Sequence, residues 1–429
     1  MGKFDGKRVL QLGHSALSRY ALDYIRANGA YIIAADKCPE EKNAYRRLVN
    51  ETVQLDIDHT ARVIEYCRAN KIDAVFGGGP EEASYEKARI INEGIGNAYC
   101  HTEKQWQSFA KKDNFRKLCM DCGLDVPKTY YMGTAAGMTE EAKAEISFPA
   151  IVKPVDNTGG DGISVVFDRK ELDGAISCAA ENSASSKIIA EEYIEGRECA
   201  FTYVVQDGTY RLTASADKYV YKNEKNLTAT PELYIYPCAD HDRYADTVNE
   251  TVLSMLKGQG LNNCTVFFQA IEKDGKFYIF EAGLRFEGTK NCILTERFTG
   301  QNALHFYCDY ILKTKTEYDI TKEDPKLNGH AIAMFLIHLK RGRIRQIRGK
   351  KKIFDNDRVF RITYLKQKGD LIGENQIEQC FAAFCMEGSD KEDLARQIRF
   401  IKKTLKVRGC FYRNMIVDSF DERVLIKNK

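Results

Sequence analysis

The first eighty or so residues alternate short apolar runs with amphipathic stretches, and this alternation restricts the architecture more than any other feature. "KRVLQLGH" (7–14) reads as a buried strand. "SRYALDYIRANG" (18–29) reads as a helix with Ala21, Leu22 and Ile25 on one face and Gly29 closing it. "AYIIAAD" is a second strand ending at Asp36, "HTARVIEYCRANKI" another helix and "DAVFGGG" another strand. Parallel strands need crossover connections, usually helical, so the pattern predicts a doubly wound α/β sheet. A dinucleotide-binding domain begins the same way, with Asp36 in the place of its ribose-binding acid. The turn here, Gly13-His14-Ser15-Ala16-Leu17-Ser18, keeps only the first glycine of G-x-G-x-x-G. Without the second, the backbone cannot closely approach a pyrophosphate, and NAD is set aside.

From Lys112 the texture changes. "KKDNFRKLCMDCGLDVPKTYYM" predicts a basic helix stopped at Gly123 and a strand after Pro127. In "FPAIVKPVDNTGGDGISVVFD" (148–168), two apolar runs flank a glycine-rich turn, and Lys153 lies inside the first. A helix around "RKELDGAISCAAEN" and the strands "SKIIAEEYI", "RECAFTYVVQDG" and "TYRLTASADKYVY" follow. After another helical stretch, "CTVFFQAIEKDGKFYIFEAGL" is a hairpin turning on Asp274-Gly275. The tail from about Gly329 mixes short strands with one helix, "KEDLARQIRFIKKTL". Antiparallel strands with segregated helices predict α+β units after the α/β opening.

Composition narrows the function classes. A formal net charge of +3 over 429 residues argues against a nucleic-acid or membrane surface. The basic run "LKRGRIRQIRGKKKI" (339–353) alternates Ile with Arg or Lys and reads as two solvated strands around a turn. No apolar segment reaches membrane-spanning length, and "MGKFDGKRVLQLG" enters a strand without a signal peptide. Among fourteen cysteines the only close pair is Cys119 and Cys122, with no second pair to complete a zinc site. Reduced thiols in a cytoplasmic protein are the expectation.

The residues that could carry chemistry form an ordered set. Lys112 starts the basic helix, Lys153 precedes the loop Gly159-Gly160-Asp161-Gly162, and Glu191-Glu192-Tyr193-Ile194 ends a strand. Glu198 lies in the next strand, Lys218 heads the Lys- and Tyr-rich stretch "KYVYKNEKNLTATPELYIYP", and Gln269, Glu281 and Arg285 surround the hairpin. Two lysines and glycine-loop N–H groups suit phosphate oxygens, and the loop could close over them. A strand end offers backbone groups to an adenine edge. Gln269 and Glu281, facing each other across the hairpin, can hold Mg²⁺ through oxygen, and Arg285 can clamp a phosphoryl group. Each piece alone has an ordinary reading as a turn, a solvated lysine or a cross-strand pair on a wet face.

Together these residues resemble the ATP-grasp superfamily. "KRVLQLGHSALSRYALDYIRANGAYIIAADKCP" and "IDAVFGGGPEE" look like the pre-ATP-grasp domain of carbamoyl phosphate synthase and its relatives. "KDNFRKLCMDCGLDVPKTY", "FPAIVKPVDNTGGDGIS", "AEEYIEGRECAF" and "FFQAIEKDGKFYIFEAGLRFEG" resemble the lysine helix, the second lysine with its glycine lid, the adenine hinge and the magnesium hairpin. "GHAIAMFLIHLKRGRIRQIRG" is similar to the C-terminal domain of amino-acid ligases in the superfamily. The implied domains are 1–105 (pre-ATP-grasp), 106–190 (lysines and lid), 191–325 (hinge and hairpin) and 326–429 (a small α+β domain).

The resemblance implies ATP and Mg²⁺ as cofactors. ATP would bind to Lys112, Lys153, Gly159, Gly160, Gly162, Glu191, Glu192, Tyr193, Ile194, Glu198 and Lys218, and the metal to Gln269 and Glu281. Arg285 and Lys153 would be catalytic. The implied reaction joins a small-molecule carboxylate to an amine through an acyl phosphate, releasing ADP and phosphate. Activation of bicarbonate and a catalytically weakened nucleotide-binding protein are the alternatives. One departure stands out: the family's asparagine after the magnesium glutamate is Gly283 here, which removes an oxygen from the metal shell. Specificity is expected from loops at Gly78–Glu82, Lys218–Thr230 and Gly288–Asn291. A homodimer without nucleic-acid or membrane partners completes the expectation.

Overall fold

The alternating opening forms a four-stranded, wholly parallel sheet in the order β3-β2-β1-β4. Its strands are β1 (Arg8–Leu12), β2 (Tyr31–Asp36), β3 (Glu51–Gln54) and β4 (Ala74–Gly77). Helix α1 (Ala16–Ala27) joins β1 to β2, α2 (Thr60–Ala69) joins β3 to β4, and α3 (Glu82–Gly94) follows. Val9, Leu10, Ile32, Ile33 and Val75 are buried together with Leu22 and Ile25 of α1, as expected of parallel strands covered by helices. The computed structural model describes residues 2–13, 16–40, 43, 45–77, 82–157, 162–222, 229–287, 291–373, 379–417 and 420–427.

Two helices lead out of this unit. Helix α4 (Glu103–Ala110) starts with a capping box in which the Thr102 hydroxyl accepts from the Gln105 amide and the Gln105 side chain accepts from the Thr102 amide. Helix α5 (Lys112–Asp121) is followed by Gly123 at φ 77°, a left-handed stop that suits glycine. Next comes an antiparallel sheet ordered β5-β8-β6-β7, with β5 at Thr129–Thr134, β6 at Ala150–Pro154, β7 at Ser164–Val166 and β8 at Lys187–Glu192. Strand β6 lies between β8 and β7, so Lys153 emerges from the interior of a sheet.

The chain then forms β9 (Arg197–Gln206), β10 (Thr209–Lys222), β11 (Ala229–Tyr236), β12 (Cys264–Lys273), β13 (Lys276–Gly283) and β14 (Ala331–His338). Hairpins β9–β10 and β12–β13 turn on Asp207-Gly208 (φ 47° and 78°) and Asp274-Gly275 (φ 51° and 84°). Two successive left-handed residues match the twist of a two-residue hairpin, which explains both Asp-Gly pairs. The tail adds β15 (Gly342–Arg343), β16 (Gln346–Arg348), β17 (Val359–Tyr364), β18 (Leu371–Ile372), β19 (Cys380–Gly388) and β20 (Lys406–Arg408). Eight of these strands make one sheet, ordered β13-β12-β9-β10-β11-β14-β19-β17. That sheet continues across the expected division at 325/326, and β8 crosses the one at 190/191.

The basic run departs from expectation. Its two halves do not pair with each other: β15 pairs with β18, and β16 pairs with β20. Among the described residues no helix is long and apolar enough to cross a membrane, and all fourteen cysteines are free thiols.

Candidate functional site

Lys153 is 5% exposed, an unusual fate for a lysine, and its ammonium is paired with the Glu191 carboxylate. Glu191, itself 2% exposed, is held from its other side by the Arg116 guanidinium, which also donates to the Pro127 carbonyl at 2.8 Å. Register explains the meeting: Ile151 lies opposite Glu191, with Lys153 two residues further along β6, while Arg116 projects from α5, one turn beyond Lys112. Burial pulls the Lys153 ammonium below its ordinary value, and Glu191 opposes that shift. The Glu191 side chain is therefore the counter-ion of a buried lysine and not a group open to adenine. Arg116, which sequence reasoning did not single out, was legible only as the last residue of "KKDNFR".

Lys112 donates to the Asn157 carbonyl at 2.5 Å. A pocket lies here between α4, α5, the end of β6 and β13, lined by Trp106, Lys112, Phe115, Asn157 and Glu281 among others. It brings the lysine-bearing unit and the hairpin glutamate to one cleft. Gly159 and Gly160 lie outside the described residues. Gly162 has φ 80°, and a Cβ there would approach the Asn182 Cβ to 2.6 Å, so both backbone and space require glycine. At the proposed hinge the Glu192 amide donates to the Lys128 carbonyl (2.8 Å) and the Tyr193 amide to the Pro149 carbonyl (3.2 Å). Among the described residues the Ile194 amide has no such acceptor.

The hairpin residues occupy one face of the large sheet. Gln269 and Glu281 are directly opposite across β12–β13, and Glu198 and Lys218 are directly opposite across β9–β10. The Lys218 ammonium meets Glu198 at 2.7 Å and donates to Gln269 Oε1 at 3.2 Å. Burial works against its charge, but Glu198, Glu281 and Glu287 outweigh burial and hold Lys218 above its ordinary value. Tyr234, opposite Lys218 on β11, is kept protonated by burial and the same three carboxylates. Glu198, Glu281 and Glu287 thus all act on the Lys218 charge, while Gln269 and Glu281, opposite each other, present oxygen atoms of the kind a hard divalent cation takes. Glu287, two residues beyond Arg285, belongs to the cluster although sequence reasoning passed over it.

Gly283 has a structural counterpart. It lies opposite Phe267, and a Cβ at 283 would sit 2.2 Å from Phe267 Cε1. The Phe267 ring occupies the space a side chain would need, and the Arg285 guanidinium stacks over that ring at 4.9 Å. Arg285 also donates to the Phe286 carbonyl at 3.0 Å. On the opposite face, Cys199, Asp217 and Cys238 cluster directly behind Glu198 and Lys218. Asp217 is engaged there by Arg197 (3.4 Å), Lys391 (3.3 Å) and the Ala239 amide (3.2 Å), which makes it an ion-pair hub.

Residues 146–293, which span the buried lysine, the hinge and the hairpin, match the family model of the ATP-grasp domain. The chain carries an ATP-grasp domain. Over nearly the whole chain the likeness to solved structures is one of fold. The L-amino acid ligase of Bacillus licheniformis superposes with a TM-score of 0.76 at 17% identity, covering 96% of this chain and 100% of that one. The biotin carboxylase domain of the Hydrogenobacter thermophilus 2-oxoglutarate carboxylase, in a complex with MgADP and bicarbonate, gives 0.77 at 15% identity over 96% and 91%. In sequence, the carbamoyl phosphate synthase large chain of Clostridium perfringens strain 13 is 22% identical over 261 residues, 60% of this chain and 23% of that protein. A D-alanine–D-alanine ligase of Marinomonas is 32% identical over 141 residues, 31% of this chain and 41% of that protein. This chain thus spans about a quarter of the length of the synthase it matches.

Proposed function

We propose that this ATP-grasp protein is an ATP-dependent carboxylate–amine ligase that works through an acyl phosphate and releases ADP and phosphate. The observation that carries the reading is the cleft shared by Lys112 and Glu281, with Glu198, Lys218 and Gln269 continuing along the same sheet face. Lys153, preset in its buried pair with Glu191, and Lys112 neutralise nucleotide phosphates. Ile194 offers its amide to the adenine edge. Mg²⁺, bound through Glu281 and Gln269, would neutralise charge on the phosphates during transfer. Arg285, oriented by the Phe267 ring, faces the negative charge that develops on the acyl phosphate. Gly159, Gly160 and Gly162 are assigned to the nucleotide phosphates on the strength of the sequence motif alone, and a homodimer acting on small-molecule substrates remains part of the proposal.

The solved ligase likeness supports an amine as acceptor, and the carboxylase likeness supports bicarbonate as a second acid to test. ADP release should be measured against pools of amino acids, other carboxylates and bicarbonate, with and without amines. Release that needs a carboxylate, is completed by an amine and is lost in Glu281→Gln is the expected result. ATP binding without ADP release under any condition would leave only a nucleotide-binding protein.

A further inference from the structure

The small net charge of +3 conceals a strong separation. Residues 340–352 and 402–413 carry thirteen lysines and arginines and no carboxylate, so the remainder of the chain stands at −10. The structure brings the two segments together as the pairs of β16 and β20: Gln346 opposite Arg408, Ile347 opposite Val407 and Arg348 opposite Lys406. Arg345 continues the ladder, its amide donating to the Arg408 carbonyl at 2.8 Å. Arg348 and Lys406 are like charges placed directly across a strand pair, an arrangement that weakens a sheet. Arg343, Arg345, Arg348, Lys406, Arg408 and Arg413 are all exposed, and among the described residues none forms an ion pair.

Beside this surface, β20 runs into a turn that exposes Phe411 by 90% and Tyr412 by 68%. Both have left-handed backbones (φ 53° and 55°), which bulky residues rarely adopt. The Arg408 guanidinium donates to the Tyr412 carbonyl at 3.0 Å and ties the turn to the basic strand.

We infer that this face binds single-stranded nucleic acid, with phosphates along Arg345, Arg348, Lys406 and Arg408 and bases stacked on Phe411 and Tyr412. The like-charge pair is relieved by a polyanion. Two aromatic faces joined to that pair favour unpaired bases, which stack on any flat ring. The reading replaces the near-neutral expectation, because the average charge hides a segregated one.

The test is fluorescence anisotropy of the full chain with labelled oligo-U and oligo-dT across salt concentrations. About four phosphate contacts give a slope of about −3 for log affinity against log salt. Arg345→Glu, Arg348→Glu and Arg408→Glu together should weaken binding more than tenfold while leaving ADP release and melting temperature unchanged. Phe411→Ala with Tyr412→Ala should cost about thirtyfold or more with the salt slope retained. RNA and DNA arms tell which polynucleotide is preferred. No binding at low salt, or binding untouched by the triple change, overturns the inference. Aromatic replacements without effect, or equal affinity for duplex DNA, heparin or phosphatidylserine vesicles, would do the same by showing a surface that reads charge alone.

Discussion

Gly283→Asn puts the superfamily's asparagine at the one hairpin position where this chain departs from the pattern, yet the structure predicts a loss. A Cβ at 283 lies 2.2 Å from Cε1 and 2.6 Å from Cζ of Phe267, a ring only 2% exposed. The ring must leave its place before any amide oxygen can reach the metal side of the hairpin. Overpacking of this kind costs about 1–3 kcal/mol. The displaced ring also takes away the surface on which Arg285 stacks, so turnover should fall with stability. Phe267→Ala alone should cost about 3–5 kcal/mol, as for other buried aromatic truncations. In the double variant the introduced side chain enters the space the ring vacates, so the two costs should not add. A favourable coupling of about 1–3 kcal/mol is expected in the cycle. Urea unfolding of the four proteins, with ADP release measured alongside, checks the argument. A Gly283→Asn protein with wild-type midpoint and raised turnover would refute it, and so would strict additivity.

Glu191→Gln leaves the Lys153 and Arg116 charges buried without an anion and should destabilise by about 3–5 kcal/mol, read by denaturant midpoint. Lys153→Met leaves Glu191 its pair with Arg116, so it should weaken ATP binding by calorimetry more than it lowers stability; unchanged ATP affinity would exclude Lys153 from the site. Burial pushes the Glu323 carboxyl up to about 7, so between its unfolded value near 4.5 and pH 7 the folded protein holds a proton that the unfolded chain has shed. Its stabilisation is complete below that window and lost as pH rises through it, by about 3 kcal/mol. Burial keeps His101 at about 3 and His305 and His338 at about 4, so these work in the opposite direction in acid, and the wild-type-minus-Glu323→Gln difference isolates Glu323. A difference that stays flat from pH 4.5 to 8 would remove the assignment.

Local pattern carried far into this fold. The parallel opening follows from apolar runs spaced by helical stretches, and both hairpins follow from Asp-Gly pairs whose left-handed residues are built for two-residue turns. The hairpin register could be read by counting outward from Asp274-Gly275 as far as Ala270 and Ile279, beyond which a register shift sets Glu281, and not Phe280, opposite Gln269. Long-range partnerships could not. Glu191 looked like part of a hinge because nothing nearby shows that its carboxylate serves a lysine 38 residues earlier. Gly283 looked like a missing ligand because the ring that fills its place lies on the neighbouring strand. The basic run looked self-paired because alternation specifies a strand but not its partner, and β20 lies 58 residues beyond the end of β16.

Hydroxylamine trapping tests the central claim most directly. With ATP, Mg²⁺ and a pool of carboxylates but no amine substrate, the proposed site around the cleft of Lys112 and Glu281 should transfer phosphate to one carboxylate. The nucleophile should then capture the acyl phosphate as a hydroxamate, with ADP formed in equal amount and none in Glu281→Gln. Hydroxamate accompanied by AMP and pyrophosphate would place the chemistry at the α-phosphate and contradict the account.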